Sequence, residues 1–485
     1  MDPRSPSRRQ ILRTSSFSLG AVAASWLLRR DGALAESAGL AKPIIGETFD
    51  VLPKAPPKPP QARAMISMYM LGGPSQIDLF DPKPELVKRN GQTFDGDLKF
   101  DNAAQASREI MGPPWAFHRR GQCGMELSEL LPHLGTIADD ITLIRSMRTG
   151  SNNHVPSNFA LTTGAPVHGR PVLGSWLLKS LGSASQNLPA YVALTDPRGL
   201  PQEGSENWSQ GKLPAVFQGT VVRPAEPRIF NLEAPAHLRG GPQCAQLELL
   251  ERLNRAHLAE HPGESDLEAR LASYGLAARM QDAAREAFDI SAEPESIKKM
   301  YGVDQPGTRD YATRCLIARR LVERGVRFVQ IFCAGQNWDH HGAILTELPN
   351  RCGEIDQPAA ALVRDLKQRG MLDSTVVHWG GEMGRLPVIQ FRSGASDRKN
   401  VGRDHNTYGF SQWVAGGGFR GGYVHGATDE FGHHAVEGTV HHYDWLATVL
   451  HLFGLDHEAL RFRVGPREIK LVEESEARVV RELLA

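Results

Sequence analysis

The sequence predicts an α/β fold with a mostly parallel central sheet, helices on both faces and a helical insertion. Three observations support this prediction. Short apolar runs with the length of strands alternate with segments of helical length. The apolar runs are nearly continuous, as in strands of a parallel sheet that is covered on both faces. Polar clusters follow several of these runs directly, and in open α/β sheets the ligand site lies beyond the carboxyl ends of the strands.

The predicted elements alternate along most of the chain, and no internal repeat interrupts them. Strands are predicted at residues 63–71, 141–147, 188–194, 327–333, 374–380 and 410–416. Helices are predicted at residues 125–140, 310–325 and 356–370. Polar clusters follow four of the strands, and these strands come from distant parts of the chain. We therefore expect the clusters to converge at one edge of the sheet.

Residues 245–290 form the predicted helical insertion. The segments AQLELLERLNRAHLAEH and LEARLASYGLAARMQDAAREAF are each typical of a helix with a polar face, and a His-Pro-Gly turn separates them. This insertion is either a cap or partner-binding surface, or an ordinary packed layer of helices.

The first part of the chain is predicted to direct export. SRRQILR, at residues 7–13, precedes an apolar run that is too short for an ordinary membrane span, and Ala33-Leu34-Ala35 then offers a cleavage site. These features are similar to a twin-arginine signal peptide, which we assign to residues 1–35. The signal predicts that the protein is exported folded and is periplasmic or secreted. Residues 36–62 contain LPKAPPKPP and are predicted to be a proline-rich linker, which leaves residues 63–485 as the α/β domain.

The composition excludes some classes of function. The chain has 55 basic and 55 acidic residues, so it shows no sign of a basic surface for nucleic acid. We expect no transmembrane segment in the mature chain, because no segment after the leader is apolar enough. The five cysteines are scattered without a C-x-x-C pair, which argues against a cysteine zinc site.

Histidine and carboxylate residues at the strand ends predict a divalent metal site, for zinc, manganese or calcium. WDHH follows the strand at residues 327–333, and GEMGR follows the strand at residues 374–380. GRDHN supplies a second Asp-His pair in a loop, and IDLFD follows the first strand. The predicted metal ligands are Asp78, Asp339, His341, Glu382 and His405.

Two arginines indicate an anionic ligand. Arg385 lies close to Glu382 in the sequence, and Arg403 precedes Asp404. A planar guanidinium makes paired contacts with phosphate, sulfate or carboxylate groups, so both arginines are predicted to orient the anion. The alternative is that each forms a structural ion pair with a neighbouring acid.

Several of these segments together resemble a known family. IRSMRTGSNNHVPSNFALTTG, WDHH, VVHWGGEMGRLP and GRDHNTYGFSQWVAGGGFRGGYVHGATDEFG are similar to the exported domain-of-unknown-function family 1501, from about Ala64 to Asp456. That family is related to sulfatases, in the alkaline phosphatase superfamily. The resemblance implies a metal site at the strand ends, and a nucleophile at the start of a helix that attacks a phosphate or sulfate ester.

The chain departs from the sulfatase motif at the residue that carries the reaction. In sulfatases the motif is Cys or Ser, any residue, Pro-Ser-Arg, four residues, then Thr-Gly. The same frame here has His154 in the first position, Pro156 and Ser157 in register, and Asn158 in place of arginine. A histidine cannot become formylglycine, so that route is excluded. His154, which we place at the reacting centre, is a metal ligand, a nucleophile or base, or part of a site that binds an anion without cleaving it.

Other residues could replace the missing nucleophile. Thr149, Ser151 and Ser157 are the candidate hydroxyls near His154. A second departure follows the strand at residues 374–380, where the superfamily usually carries Asp-His and this chain has Gly381-Glu382. The number of metal ions is therefore left open.

Two functions are consistent with these observations. The first is an exported metal-dependent hydrolase of phosphate or sulfate esters, with a sulfated or phosphorylated glycan as a candidate substrate. The second is a non-catalytic protein of the same fold that binds a metal or an anion and engages a glycan or a protein partner. The polar residues retained at the strand ends favour the first, and the missing nucleophile favours the second.

Overall fold

The computed structural model describes most of the chain after residue 50. The described residues are 51–98, 106–230, 232, 233, 235, 237, 241–261, 265–391, 398–464, 466–473 and 476–485. They fall within one compact unit, Thr48–Ala485. The predicted signal peptide, residues 1–35, and the first part of the predicted linker lie outside the described residues.

Strands and helices alternate along the described chain. The strands are β1 (Ala64–Tyr69), β2 (Ala106–Ile110), β3 (Phe117–Arg120), β4 (Met125–Ser128), β5 (Ile141–Arg148), β6 (Tyr191–Leu194), β7 (Thr220–Val222), β8 (Phe328–Phe332), β9 (Thr375–Gly380), β10 (Gly384–Arg385), β11 (Val388–Phe391), β12 (Val401–Gly402), β13 (His405–Asn406), β14 (Phe410–Ala415), β15 (Tyr423–His425), β16 (Ala427–Thr428), β17 (Ala435–Glu437), β18 (Val440–His441), β19 (Arg461–Val464) and β20 (Arg467–Lys470). The α-helices are α1 (Gln76–Leu79), α2 (Pro84–Lys88), α3 (His154–Thr163), α4 (Leu173–Leu181), α5 (Gly241–Glu260), α6 (Ser265–Phe288), α7 (Glu295–Tyr301), α8 (Arg309–Glu323), α9 (Ile344–Gln368) and α10 (His442–Leu452). Short 3₁₀ helices cover Leu134–Asp140, Gly204–Trp208, Ala215–Phe217, Leu372–Ser374 and Arg481–Leu483.

Within the described residues the central sheet has nine strands and is mostly parallel, which confirms the predicted fold class. Its order is β15-β5-β14-β9-β1-β8-β6-β7, and β18 also pairs with β5. Strand β1 is central, with Ile66 opposite Val329 of β8 on one side and Val377 of β9 on the other. Strand β14 is the exception, because it runs antiparallel to both β5 and β9. Mixed sheets with one reversed strand are common among large α/β folds.

Helices cover both faces of the sheet, as predicted. Successive residues of a strand point to opposite faces. Ile66 of β1 belongs to a buried apolar cluster with Leu316 of α8, and α9 lies in the same layer. Met65, its neighbour, belongs to a different cluster with Trp176 of α4, and α10 lies in that layer. The strands are apolar on both sides because both faces are buried.

The prediction of an α-helix at residues 125–140 is wrong. The first part of this segment is β4, which pairs with β3 in an antiparallel hairpin. The last part is a 3₁₀ helix with a non-helical residue, Ile137, inside it. Pro132 removes a backbone donor from the middle of the segment and Gly135 weakens a helix there, so the spacing of apolar residues is not enough to form one.

The proline-rich segment lies along the domain instead of extending from it. The Lys54 amide donates to the carbonyl of Leu181, at the end of α4, over 3.0 Å. The Lys58 amide donates to the carbonyl of Gly454, beyond the end of α10, over 3.1 Å. The Lys58 ammonium group also lies 2.9 Å from Asp456. The backbone amides of this segment therefore donate to carbonyls near the ends of two helices, where the last carbonyls have no partner within the helix.

The predicted insertion consists of helices α5 and α6, which contact each other through a hydrogen bond of 2.9 Å between Gln243 and Gln281. Helix α6 contributes Met280 to the apolar core. Helix α5 is an outer helix, and all of its residues are at least partly exposed. No helix in the described part of the chain combines the length and apolarity needed to cross a bilayer.

The loops at the carboxyl ends of the central strands meet at one edge of the sheet. Gly72 shows how closely they approach. It follows β1 with φ +112°, and a Cβ atom there would lie 2.5 Å from the backbone nitrogen of Asp339, in the loop after β8. A side chain at this position would therefore push apart the two loops that build the site.

Candidate metal centre

Four side chains converge at the carboxyl edge of the sheet. Their ligand atoms all lie within 4.8 Å of one another. One oxygen, Oδ1 of Asp339, lies 3.3 Å from Nε2 of His154, 3.0 Å from Nε2 of His341 and 3.3 Å from Nε2 of His405. His154 is the first residue of α3, and His405 begins β13. Asp339 and His341 lie in the loop between β8 and α9. The structure thus brings together three predicted ligands and the residue placed at the reacting centre.

The opposite ring nitrogen of each histidine faces a hydrogen-bond acceptor. The Nδ1 atoms of His154, His341 and His405 lie 2.6, 2.5 and 2.6 Å from their acceptors. In the same order, these acceptors are Oε1 of Glu382, Oε1 of Gln390 and the carbonyl oxygen of Asn152. An acceptor at Nδ1 places the proton there, so the Nε2 lone pair of each ring points toward Asp339.

Three imidazole nitrogens and a carboxylate oxygen at this spacing form a group that could hold a metal ion. Burial lowers the pKa of His154, but its hydrogen bonds with Asp339 and Glu382 outweigh burial and raise this pKa to about 9. Burial would raise the pKa of Asp339, but Arg385 and the three imidazoles hold it well below its usual range. Burial lowers the pKa of His405. The centre therefore stabilises positive charge, either a proton on His154 or a metal ion.

The donor set fits zinc or manganese. Zinc binds histidine nitrogens and carboxylate oxygens, usually with four tetrahedral ligands, and imidazole also suits other transition metals. Calcium prefers oxygen ligands, so it fits this set poorly. The side chains of His154 and His405 are each 8% exposed, that of Asp339 is 21% exposed and that of His341 is 30% exposed. The centre therefore opens to solvent on the side of Asp339 and His341.

Arg385 holds the centre in place. Its Nη2 atom lies 2.6 Å from Oδ1 of Asp339. Its other donors are taken up by backbone carbonyls, with Nε 2.9 Å from Gly73 and Nη1 3.0 Å from Arg403. The side chain of Arg385 is fully buried, and its donors contact protein groups. Of the two roles that the sequence allows for Arg385, these contacts correspond to the structural ion pair. The predicted contact with an anion would need these bonds to break.

Asp78 and Arg403 form a separate pair outside the cluster. Two hydrogen bonds of 2.8 and 2.9 Å join the guanidinium to the carboxylate, and both side chains are fully buried. The Ser75 hydroxyl also donates to Asp78, over 2.6 Å. Asp78, predicted as a metal ligand, is thus held by Arg403, and Arg403 faces a protein carboxylate rather than a ligand site.

Glu382, another predicted ligand, lies behind the cluster and contacts the metal centre through His154. The candidate hydroxyls help to hold its backbone. Thr149 and Ser157 donate to the Glu382 carbonyl over 3.1 and 2.9 Å. Ser151 accepts the Asn153 amide over 3.2 Å, at the start of α3.

Sequence reasoning missed Gln390 and Asn152, which orient two of the histidines. Gln390 contributes its side-chain amide oxygen, whereas Asn152 contributes its backbone carbonyl, a group that every residue carries. No side-chain pattern in the sequence therefore indicates the contact of Asn152. Gln390 lies on β11, far from His341 in the sequence, and no sequence pattern indicates that the two residues meet. Gln390 is found only when the backbone path is known.

Structural comparison finds several solved structures at low similarity. A sulfatase from a Pseudoalteromonas species is 14% identical over 82% of this chain and 68% of its own, with a TM-score of 0.33. A protein of the alkaline phosphatase superfamily from Vibrio parahaemolyticus is 11% identical over 89% and 73%, with a TM-score of 0.32. A phosphonate monoester hydrolase from Silicibacter pomeroyi is 12% identical over 81% and 73%, with a TM-score of 0.29.

Sequence comparison identifies the family. No curated protein matches the chain in sequence. One family model, described as "Protein of unknown function (DUF1501)", matches residues 62–484. This match spans almost all of the described domain and includes all four residues of the cluster. The chain therefore belongs to the DUF1501 family.

Proposed function

We propose that the protein is an exported metal-dependent hydrolase of phosphate or sulfate esters. One observation carries this proposal: three Nε2 atoms and Asp339 Oδ1 converge on one point, and each opposite Nδ1 is held by an acceptor. A bound divalent metal supplies Lewis acidity and lowers the pKa of water at such a centre.

The four residues of the cluster differ in exposure, and this difference gives them two roles. His154 and His405 are the buried anchors, and Asp339 and His341 form the edge that a substrate can reach. The geometry favours His154 as a ligand among its three possible roles, because Nε2 faces Asp339 and Nδ1 contacts Glu382. Chemistry at this position therefore proceeds without formylglycine or a histidine nucleophile.

The choice of phosphate or sulfate esters has two supports. Pro156, Ser157, Thr163 and Gly164 keep the register of the sulfatase motif. Helix α3 begins at His154, so its positive end points toward the centre and favours an anionic group there. A sulfated or phosphorylated glycan is the proposed substrate, and the leader at residues 1–35 supports a periplasmic or secreted location.

A second candidate function is metal or anion binding without catalysis. Four protein ligands complete a tetrahedral zinc site, as in structural zinc centres, whereas catalytic zinc usually keeps one position open. In that case the protein would engage a glycan or protein partner, and the exposed helix α5 offers a surface for it.

The experiment measures metal content and turnover together. The purified protein is compared with His341→Gln and with His340→Gln, a matched control because His340 is the adjacent residue and lies outside the cluster. We expect stoichiometric zinc or manganese in the wild type and in His340→Gln, and loss of metal in His341→Gln. The metal-loaded wild type is then tested on aryl phosphate, phosphodiester and aryl sulfate substrates.

The outcomes separate the two functions. Metal-dependent turnover of any of these esters that is lost in His341→Gln supports the hydrolase. Stoichiometric metal without turnover of phosphate or sulfate esters, sugar esters included, favours the binding protein. A wild type that binds neither zinc nor manganese after reconstitution contradicts the metal centre itself.

A further inference from the structure

We propose that Glu382 is a positioning residue that sets the metal affinity of the centre through His154. The inference rests on the metal centre of the proposed function, and it adds a specific role for a residue that does not itself belong to the cluster. It concerns the charge of Glu382, and not merely its ability to accept a hydrogen bond.

The carboxylate of Glu382 is fully buried and fixed through one oxygen. Oε1 accepts the Gly72 amide over 2.9 Å and faces Nδ1 of His154 at 2.6 Å. Oε2 is also buried, and no group among the described residues donates a hydrogen bond to it. A buried carboxylate with one oxygen unpaired is costly unless a positive charge lies close by.

The nearest source of that positive charge is the metal centre. His154 is the described cationic partner within ion-pair distance of Glu382, whereas Arg385 pairs with Asp339. The ring of His154 lies between Glu382 and the metal position, with Nδ1 2.6 Å from the carboxylate and Nε2 facing Asp339.

The three histidines differ in the acceptor behind them. His154 has a carboxylate, His341 has the side-chain amide of Gln390, and His405 has a backbone carbonyl. A charged acceptor makes a stronger hydrogen bond and raises the basicity of the opposite nitrogen. His154 is therefore the strongest donor of the three.

The backbone keeps Glu382 from moving away. Its carbonyl accepts hydrogen bonds from Thr149 and Ser157. Gly381, before it, lies so close to β1 that a Cβ atom would be 2.5 Å from the Met70 carbonyl oxygen. The Gly381-Glu382 sequence thus fits a loop in which the small residue allows close approach and the acid faces His154.

The test compares two substitutions that each remove one buried negative charge. Glu382→Gln keeps the shape and an acceptor for Nδ1 of His154. Asp404→Asn is the matched control, because Asp404 is buried, its Oδ1 lies 3.9 Å from Nδ1 of His341, and its contact is the backbone amide of His405. Zinc affinity is measured by chelator competition, and the Co²⁺ absorption spectrum reports the ligand geometry.

We expect Glu382→Gln to bind zinc about 10- to 100-fold more weakly, with an altered Co²⁺ spectrum, and Asp404→Asn to lose much less. Equal losses in both variants would mean that general electrostatics acts, and would overturn the inference. So would an unchanged affinity in Glu382→Gln. A wild type that binds no metal would overturn both this inference and the proposed function. A wild type that binds metal, together with either of the two results above, would overturn this inference alone, so the two failures are distinguishable.

A second variant covers the case in which Glu382→Gln does not fold. Gln390→Glu gives His341 a carboxylate in place of an amide, so the same reasoning predicts tighter zinc binding. A folded Gln390→Glu protein with unchanged or weaker affinity contradicts the idea that a charged acceptor strengthens these histidines.

Discussion

His378 lies opposite Ser67 on adjacent central strands, and its Nδ1 atom is 3.0 Å from the Ser67 hydroxyl oxygen. The ring is fully buried, and burial lowers its pKa from 6.5 to about 4. The unfolded chain binds a proton at this histidine between these pH values and the folded protein does not. This contribution to stability is therefore complete above pH 6.5 and is lost as the pH falls toward 4.

We expect His378 alone to lower the free energy of unfolding by about 2 kcal/mol between about pH 7.5 and about pH 5. Urea unfolding of the wild type and of His378→Gln at both pH values measures it. The variant will be less stable at the higher pH, but its pH dependence should be smaller by this amount. Identical pH dependence in the two proteins would show that His378 does not resist protonation.

Breaking the buried pair of Asp78 and Arg403 should destabilise the fold and leave the metal in place. Asp78→Asn leaves the guanidinium buried without its counterion, which costs about 3 to 5 kcal/mol. Chemical unfolding gives this loss, and metal analysis of the folded variant gives the stoichiometry. If the variant instead keeps its stability and loses the metal, Asp78 is a ligand after all.

Metal binding should stabilise the folded protein. At a free metal concentration of about 100 times the dissociation constant, the gain in unfolding free energy is about 2.7 kcal/mol. Thermal unfolding with and without a chelator measures it. The shift should be absent in His341→Gln and retained in His340→Gln, and a shift in both variants would place the metal elsewhere.

The leader should depend on its paired arginines. Replacing Arg8 and Arg9 together by lysine keeps the charge and removes the guanidinium groups, so we expect the full-length protein to stay in the cytoplasm. Cell fractionation and the size of the chain report export and cleavage. Replacing Arg29 and Arg30 by lysine is the matched control and should not stop export. Normal export of the Arg8 and Arg9 variant would contradict the twin-arginine assignment.

The sequence predicts the sheet well because its signal is local. A strand buried on both faces is mostly apolar, and β1, β5, β8 and β9 each show this in a few consecutive residues. The segment at residues 125–140 misled because its apolar spacing suits a helix, while the pairing of β4 with β3 in a hairpin decides the structure of its first part. Helix propensity alone does not describe such cross-strand pairing.

The candidate site is predictable in part for the same reason. The WDHH motif lies directly after a buried strand, so Asp339 and His341 could be placed at the centre. Asp78 also follows a strand, but its side chain meets Arg403 across a distance of many residues along the chain. Which carboxylate faces the metal and which faces an arginine depends on the path of the loops, and the sequence does not encode that path in any short pattern.

The contact between Arg385 and Asp339 bears on the order in which the protein is assembled. The guanidinium already supplies a positive charge to the oxygen around which the three imidazoles gather. The loops can therefore reach their final arrangement before any ion arrives, and the ion enters a receptor that is already shaped. A chain built in this way can fold first, and an ion can enter the four-residue cluster afterwards.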